Sequence, residues 1–370
     1  MIELENVSKI FPDGTVAVED VSFQVEKGQL CVLLGPSGCG KTTTMKMINR
    51  LESVSKGRIL VNDMDIYDFQ DTELRRQIGY AIQEVGLFPH MTVGENIQVV
   101  PELKGWSKKE RRERAEKLLS LVKLPPEFID KYPKELSGGQ RQRIGVARAL
   151  GADPEVLLMD EPFGAIDPIT RVDLQNEFLK IQQDIRKTIV FVTHDIYEAI
   201  KMGDTIALMN EGKLIQFDTP FNILFQPNDS FVSDFVGRDR ALKGLQLIKG
   251  KEVMRKVELS VGPSDRLEEL RERLGPDQMQ EDIPVVQEDG QFLGFVNLRN
   301  AEEGEVQDHI AHRDAASNTD IVLDEALSIM LSGERNVLAL LDHESRFQGV
   351  LAFSDIQRAL SEADQWRDSL

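Results

Sequence analysis

The sequence predicts an α/β protein: a mostly parallel sheet with an antiparallel strand set ahead of it, a helical insertion, and a second, smaller α/β domain. Three observations carry this. Short apolar runs at 30–34, 156–160, 189–193 and 206–209 are strand-sized and separated by helical stretches, the alternation that builds a parallel sheet. Residues 90–150 read as helical, most strongly Lys108–Val122. After Gly237 the chain changes character and repeats itself once.

The elements follow in order. Residues 1–34 alternate apolar runs with the turn signals Pro12-Asp13-Gly14 and Lys27-Gly28, which suggests antiparallel strands feeding the buried strand Leu30–Leu34. A helix is expected at about 41–51. A linker is expected over 237–250. Beyond it, 283–294 aligns with 338–349 at an offset of 55 residues without a gap, matching Phe292 to Phe347 and Gly294 to Gly349. The helix-like 267–274 matches 324–331 at an offset of 57. Two copies at this period suggest a pseudo-twofold pair rather than a solenoid.

Composition bounds the function. A chain of 370 residues exceeds one ordinary domain. The net charge of −19 argues against a nucleic-acid binder, which would show a basic face. Residues 240–370 carry 26 Asp/Glu against 15 Lys/Arg, so more than half of the net charge lies in the C-terminal third. No apolar run approaches the length of a membrane span, and Met1–Glu5 shows no signal-peptide core. Two cysteines, Cys31 and Cys39, make no disulfide framework, and the chain reads as cytosolic. His309, His312 and His343 read as a solvated face rather than a metal set.

The strongest motif is Gly35-Pro36-Ser37-Gly38-Cys39-Gly40-Lys41-Thr42, between a buried strand and a helix. It fits the phosphate-binding P-loop: glycines let backbone N–H groups curl around phosphates, and the helix N-terminus adds a positive end. Lys41 reaches the β- and γ-phosphates, and Thr42, with Thr43 after it, lies where Mg²⁺ and phosphate are held. The apolar run Val156–Met159 ends in Asp160, suited to Mg²⁺, and Glu161, placed to polarise an attacking water.

Leu136-Ser137-Gly138-Gly139-Gln140, ahead of a helix containing Arg141, Arg143 and Arg148, joins the P-loop in resembling the ABC ATPases. The resemblance covers about 1–236 and implies a P-loop NTPase (RecA-like) core with an antiparallel β subdomain and a helical subdomain over about 90–150. It implies ATP hydrolysis with Mg²⁺, in a homodimer where Ser137, Gly138, Gly139, Gln140 and Asp167 act in trans on nucleotide held by the other copy. Gln83 occupies the Q-loop position, touching Mg²⁺ or the water, and His194 the switch-histidine position. Phe11 matches the adenine-stacking aromatic, with a core phenylalanine as the competing reading. The D-loop reads Gly164-Ala-Ile-Asp167, where the family more often has Ser first and Leu third.

Residues 83–91 resemble importer Q-loops, where apolar side chains receive a permease subunit; Leu87, Phe88 and Met91 read equally well as core. The C-terminal pair resembles tandem CBS modules over 252–310 and 315–362. Together these resemble the osmoprotectant importers for glycine betaine, carnitine or choline, on the cytoplasmic face of the membrane and served by an extracytoplasmic binding protein. A soluble mechanoenzyme, or an importer ATPase for another small solute, is the alternative. The nucleotide pattern of CBS modules is incomplete: Ala352 and Asp355 follow Gly349, and Asn297 and Asn300 follow Gly294. A helix cap or solvated charge is the better reading of Asp355. A regulatory nucleotide, ionic-strength sensing and dimerisation stay open for this pair.

Overall fold

The computed structural model describes residues 1–81, 86–164, 166–257, 260–274, 282–299, 301 and 303–361. The chain forms two compact units, Met1–Val236 and Gly237–Leu370.

In the first unit, Leu30–Leu34, Val156–Asp160 and Thr188–Val192 are buried at every residue, as strands covered on both faces must be. They form a six-stranded sheet in the order 213–218, 205–210, 30–34, 188–192, 156–160, 78–81. All neighbours are parallel except the edge hairpin of Thr205–Asn210 with Lys213–Asp218. A four-stranded antiparallel sheet, built on Ile2–Ile10 between Val16–Val25 and Lys56–Val61, shares one apolar core with it. The helical stretch resolves into Val93–Leu103, Lys108–Leu121 and Gly138–Ala149, begun by capping boxes at Thr92, Ser107 and Ser137. The helix expected to reach residue 51 ends at Ile48, because Asn49 caps it and Arg50 takes a left-handed φ of 50°.

The second unit holds the repeat as two antiparallel hairpins, Asp282–Val286 with Phe292–Asn297 and Val337–Leu341 with Phe347–Ala352. Each is irregular at the same place, beside Gly294 or Gly349. Both glycines face a crossing backbone. A Cβ on Gly294 would lie 2.7 Å from the Ala311 carbonyl, and one on Gly349 2.5 Å from that of Arg255. Gln291 bridges Arg346, and the Phe292 and Phe347 rings stack at 6.1 Å. These are contacts between equivalent positions, as a twofold axis requires. Asp355 is neither solvated nor exposed: it is 2% exposed, accepts from the Ala352 N–H at 2.9 Å, and pairs with Arg255 and Arg358. Asn300 lies outside the described residues. Among the described residues, no helix is long and apolar enough to cross a membrane.

Candidate active site

The loop 35–40 follows a buried strand, and its backbone requires glycine. Gly40 has φ 103°, and a Cβ there would sit 2.5 Å from the Ala17 carbonyl; at Gly35 (φ 148°) it would sit 2.2 Å from that of Met209. Ala17 belongs to the strand entered from the turn that carries Phe11, closed by Phe11 N–H donating to Thr15 O. Phe11 is half-buried, with the Lys9 ammonium 5.1 Å from its ring. Pro36, Ser37 and Gly38 are exposed, Cys39 is buried, and Thr42 and Thr43 lie half-buried in the first turn of Lys41–Ile48. Lys41 is buried, and its ammonium donates to the Gly35 and Pro36 carbonyls at 2.7 and 2.9 Å. The loop thus holds its own cation where a phosphate's charge would draw it.

Thr42 Oγ1 donates to Asp160 Oδ1 at 3.2 Å, joining the two metal candidates of the sequence. Burial pushes the Asp160 carboxyl up, with the Thr42 hydroxyl opposing, so a cation there would relieve a desolvated carboxylate. A hydroxyl and a carboxylate beside phosphate are hard oxygen donors that fit Mg²⁺. Gln83 lies outside the described residues. Tyr80, on the neighbouring strand, has its phenol raised to about 12 by burial and then by Asp160.

Glu161 stands directly past the strand in the left-handed region, φ 44°, a strain typical of functional positions. Its Oε1 is 3.0 Å from His194 Nδ1, its carbonyl accepts from Gln142 Nε2 at 2.9 Å, and its N–H donates to Val192 O at 3.0 Å. The structure therefore brings Lys41, Thr42 and Asp160 together, and Glu161 with His194. Gln142 and Tyr80 are neighbours of these groups that sequence patterns miss, since burial beside the site leaves no motif.

The Ser137–Gln140 segment forms a separate feature, exposed at Ser137 and Gly138 and half-buried at Gly139 and Gln140. Ser137 Oγ accepts from Gln140 N–H at 3.2 Å, and Ser137 N–H donates to Gln140 Oε1 at 2.9 Å. A Cβ on Gly138 would meet nothing within 4 Å. Asp167 caps the helix Pro168–Ile185 by accepting from Thr170 N–H at 3.0 Å, a bond that also holds its carboxyl below the usual range. Gly164 lies against Glu161, with its N–H donating to the Glu161 carbonyl at 3.1 Å.

The family profile described as ABC transporter matches residues 18–164, and the one described as CBS domain matches residues 251–301. The chain is 42% identical over 357 residues to the carnitine transport ATP-binding protein OpuCA of Listeria monocytogenes, covering 95% of this chain and 90% of that one. The chain belongs to the ABC-transporter ATP-binding subunits. This ATP-binding subunit is also 44% identical over 373 residues to the osmoprotectant import ATP-binding protein OsmV of Salmonella typhimurium, covering 98% of this chain and 96% of that one. Its first unit resembles the solved dimeric structure of the ATP-binding cassette MJ0796, in a post-hydrolysis state bound to ADP and Pi. That likeness has a TM-score of 0.56 and 33% identity, and covers 60% of this subunit and 99% of that chain. The subunit is thus an ABC-type ATPase with a P-loop core and a separate C-terminal CBS α/β domain.

Proposed function

We propose that this subunit is the energy-coupling ATPase of an importer for quaternary-amine osmoprotectants such as glycine betaine, carnitine or choline. The observation that carries the reading is similarity along almost the whole chain, CBS region included, to subunits named for carnitine transport and osmoprotectant import. The working form is a dimer of two copies on the cytoplasmic face of the membrane, a reading supported by the dimeric cassette its first unit resembles.

In this mechanism the triphosphate lies on residues 35–43, with Phe11 against adenine. Lys41 leaves the Gly35 and Pro36 carbonyls for the β- and γ-phosphates. Thr42 and Asp160, with Gln83, would hold Mg²⁺, which offsets phosphate charge when bound. Glu161 takes a proton from the attacking water, and His194 and the second copy's Ser137 meet the charge that develops on the γ-phosphoryl group. Gly138, Gly139, Gln140 and Asp167 complete the trans half. A cleft of about 250 Å³ lined by Arg75, Tyr80, exposed Phe88, Val100 and Arg148 supports docking of a permease segment at Phe88. The CBS region regulates or dimerises. Asp355, engaged by two arginines, disfavours ribose binding in the usual manner.

Uptake of labelled betaine, carnitine and choline by cells lacking this chain tests the substrate class. Loss of all three, restored by the intact gene, supports it; unchanged uptake of each refutes it. Ser137→Arg in the reconstituted transporter should retain ATP binding and abolish hydrolysis, and a wild-type rate would refute the trans site.

A further inference from the structure

The His194 ring is placed by its backbone more than by packing, since its side chain is 61% exposed. What fixes that backbone lies on either side. Thr193, only 1% exposed, donates its N–H to Leu33 O at 3.1 Å, and its hydroxyl accepts from Asp195 N–H at 3.1 Å. Asp195 then caps the helix Ile196–Met202. Glu198 lies in the first turn of that helix, its N–H donating to Asp195 Oδ1 at 3.5 Å, and the nearby Thr193 hydroxyl favours its carboxylate form.

Glu198 has a second partner on another element. Gln175, 5% exposed on the helix Pro168–Ile185, donates Nε2 to Glu198 Oε1 at 2.9 Å. One turn earlier, Arg171 donates to the Ile166 carbonyl at 3.0 Å, and its charge favours the Glu198 carboxylate. Asp167 caps the same helix. Burial raises the Glu198 carboxyl, with Thr193 and Gln175 opposing and Asp195 adding to the rise. An apolar residue at position 198 would leave the buried Gln175 amide without its acceptor, whereas a glutamine there keeps a carbonyl that accepts from Gln175 Nε2.

We propose that Glu198 is a positioning residue that clamps the turn bearing His194 to the helix begun by Asp167, so that the trans-acting aspartate and the histidine facing Glu161 move as one body. The proposal rests on Glu161 and His194 acting in hydrolysis. It adds a line of communication within one copy, from Asp167 through Arg171 and Gln175 to Glu198, Asp195 and His194.

The test is steady-state ATPase kinetics of the full chain in its reconstituted transporter. Glu198→Leu, close in size but with no acceptor, should lower kcat by about 10- to 100-fold, the scale of a misplaced catalytic group, with KM for ATP little changed. Glu198→Gln, whose carbonyl still accepts from Gln175 Nε2, should keep most of kcat. Should Glu198→Leu fail to fold, Gln175→Leu removes the same bond from the other helix and should lower kcat with KM held. A kcat left at the wild-type value in both leucine variants, KM rising in step with the fall in kcat, or a Glu198→Gln variant as impaired as Glu198→Leu overturns the proposal. Glu161→Gln is measured alongside: if it still turns over ATP at the wild-type rate, the reading of the site fails, and that failure is distinct from any result at Glu198.

Discussion

The two units of this chain use buried carboxylates in opposite ways. In the first, Asp160 is 4% exposed and rests against the Thr42 hydroxyl, so its carboxyl is pushed up by burial and left under-compensated. In the second, Asp355 is 2% exposed and held by two arginines and a backbone N–H. A buried carboxylate short of cations is poised for a ligand that brings one. A carboxylate supplied with two from its own fold is committed to structure. Burial alone therefore does not mark a site; a shortage of partners does.

The largest effect that sharpens this contrast is expected at Glu161. Glu161→Gln should lower kcat by about a thousandfold, the middle of the range for a general base, while ATP binding is retained and the dimer is trapped in its ATP-bound form. Single-turnover hydrolysis with filter binding checks it, and a wild-type rate breaks the assignment. At Asp355 the expected loss is in stability. Asp355→Ala frees two half-exposed arginines to rehydrate and removes the bond to Ala352 N–H, costing roughly 1–2 kcal/mol in the second unit. Chemical denaturation should show it, with basal ATPase unaltered; a loss of ATPase would tie Asp355 to function after all.

The smallest effect concerns Asp160. Its folded value lies above its unfolded one, so the folded chain binds the extra proton between the two, and stability falls as pH rises through that window. Asp160→Asn should therefore raise the melting temperature of the nucleotide-free chain at pH 8. The gain should vanish below about pH 4, where both forms are neutral. Hydrolysis should be lost throughout. A variant that melts lower at pH 8 contradicts the reading of Asp160 as under-compensated.

Much of the first unit was legible because its chemistry is local. Gly35, Gly40, Lys41 and Thr42 lie within eight residues, and the backbone they require admits little else. The buried strands announced themselves as unbroken apolar runs. The pairing of Glu161 with His194 spans 33 residues and rests on two strands lying side by side, which only the resemblance implied in advance. Gln142, Thr193, Gln175 and Glu198 carry no motif, because their roles come from burial and from partners on other elements. In the second unit the repeat showed in the matched Gly294 and Gly349, while the reason, a backbone crossing each one, was visible only in three dimensions. The fate of Asp355 depended on Arg255, a hundred residues earlier, beyond the reach of any local pattern.

The hairpin tips of the second unit carry a consequence for its unfolding. Gln291 meets its own counterpart Arg346, Phe292 meets Phe347, and Phe347 N–H donates to Gly290 O at 3.0 Å. A lone two-stranded hairpin is marginal in water. Neither half of the repeat can therefore open at its tip without stripping the other of a ring and a backbone partner, so the two halves are coupled in their loss of structure.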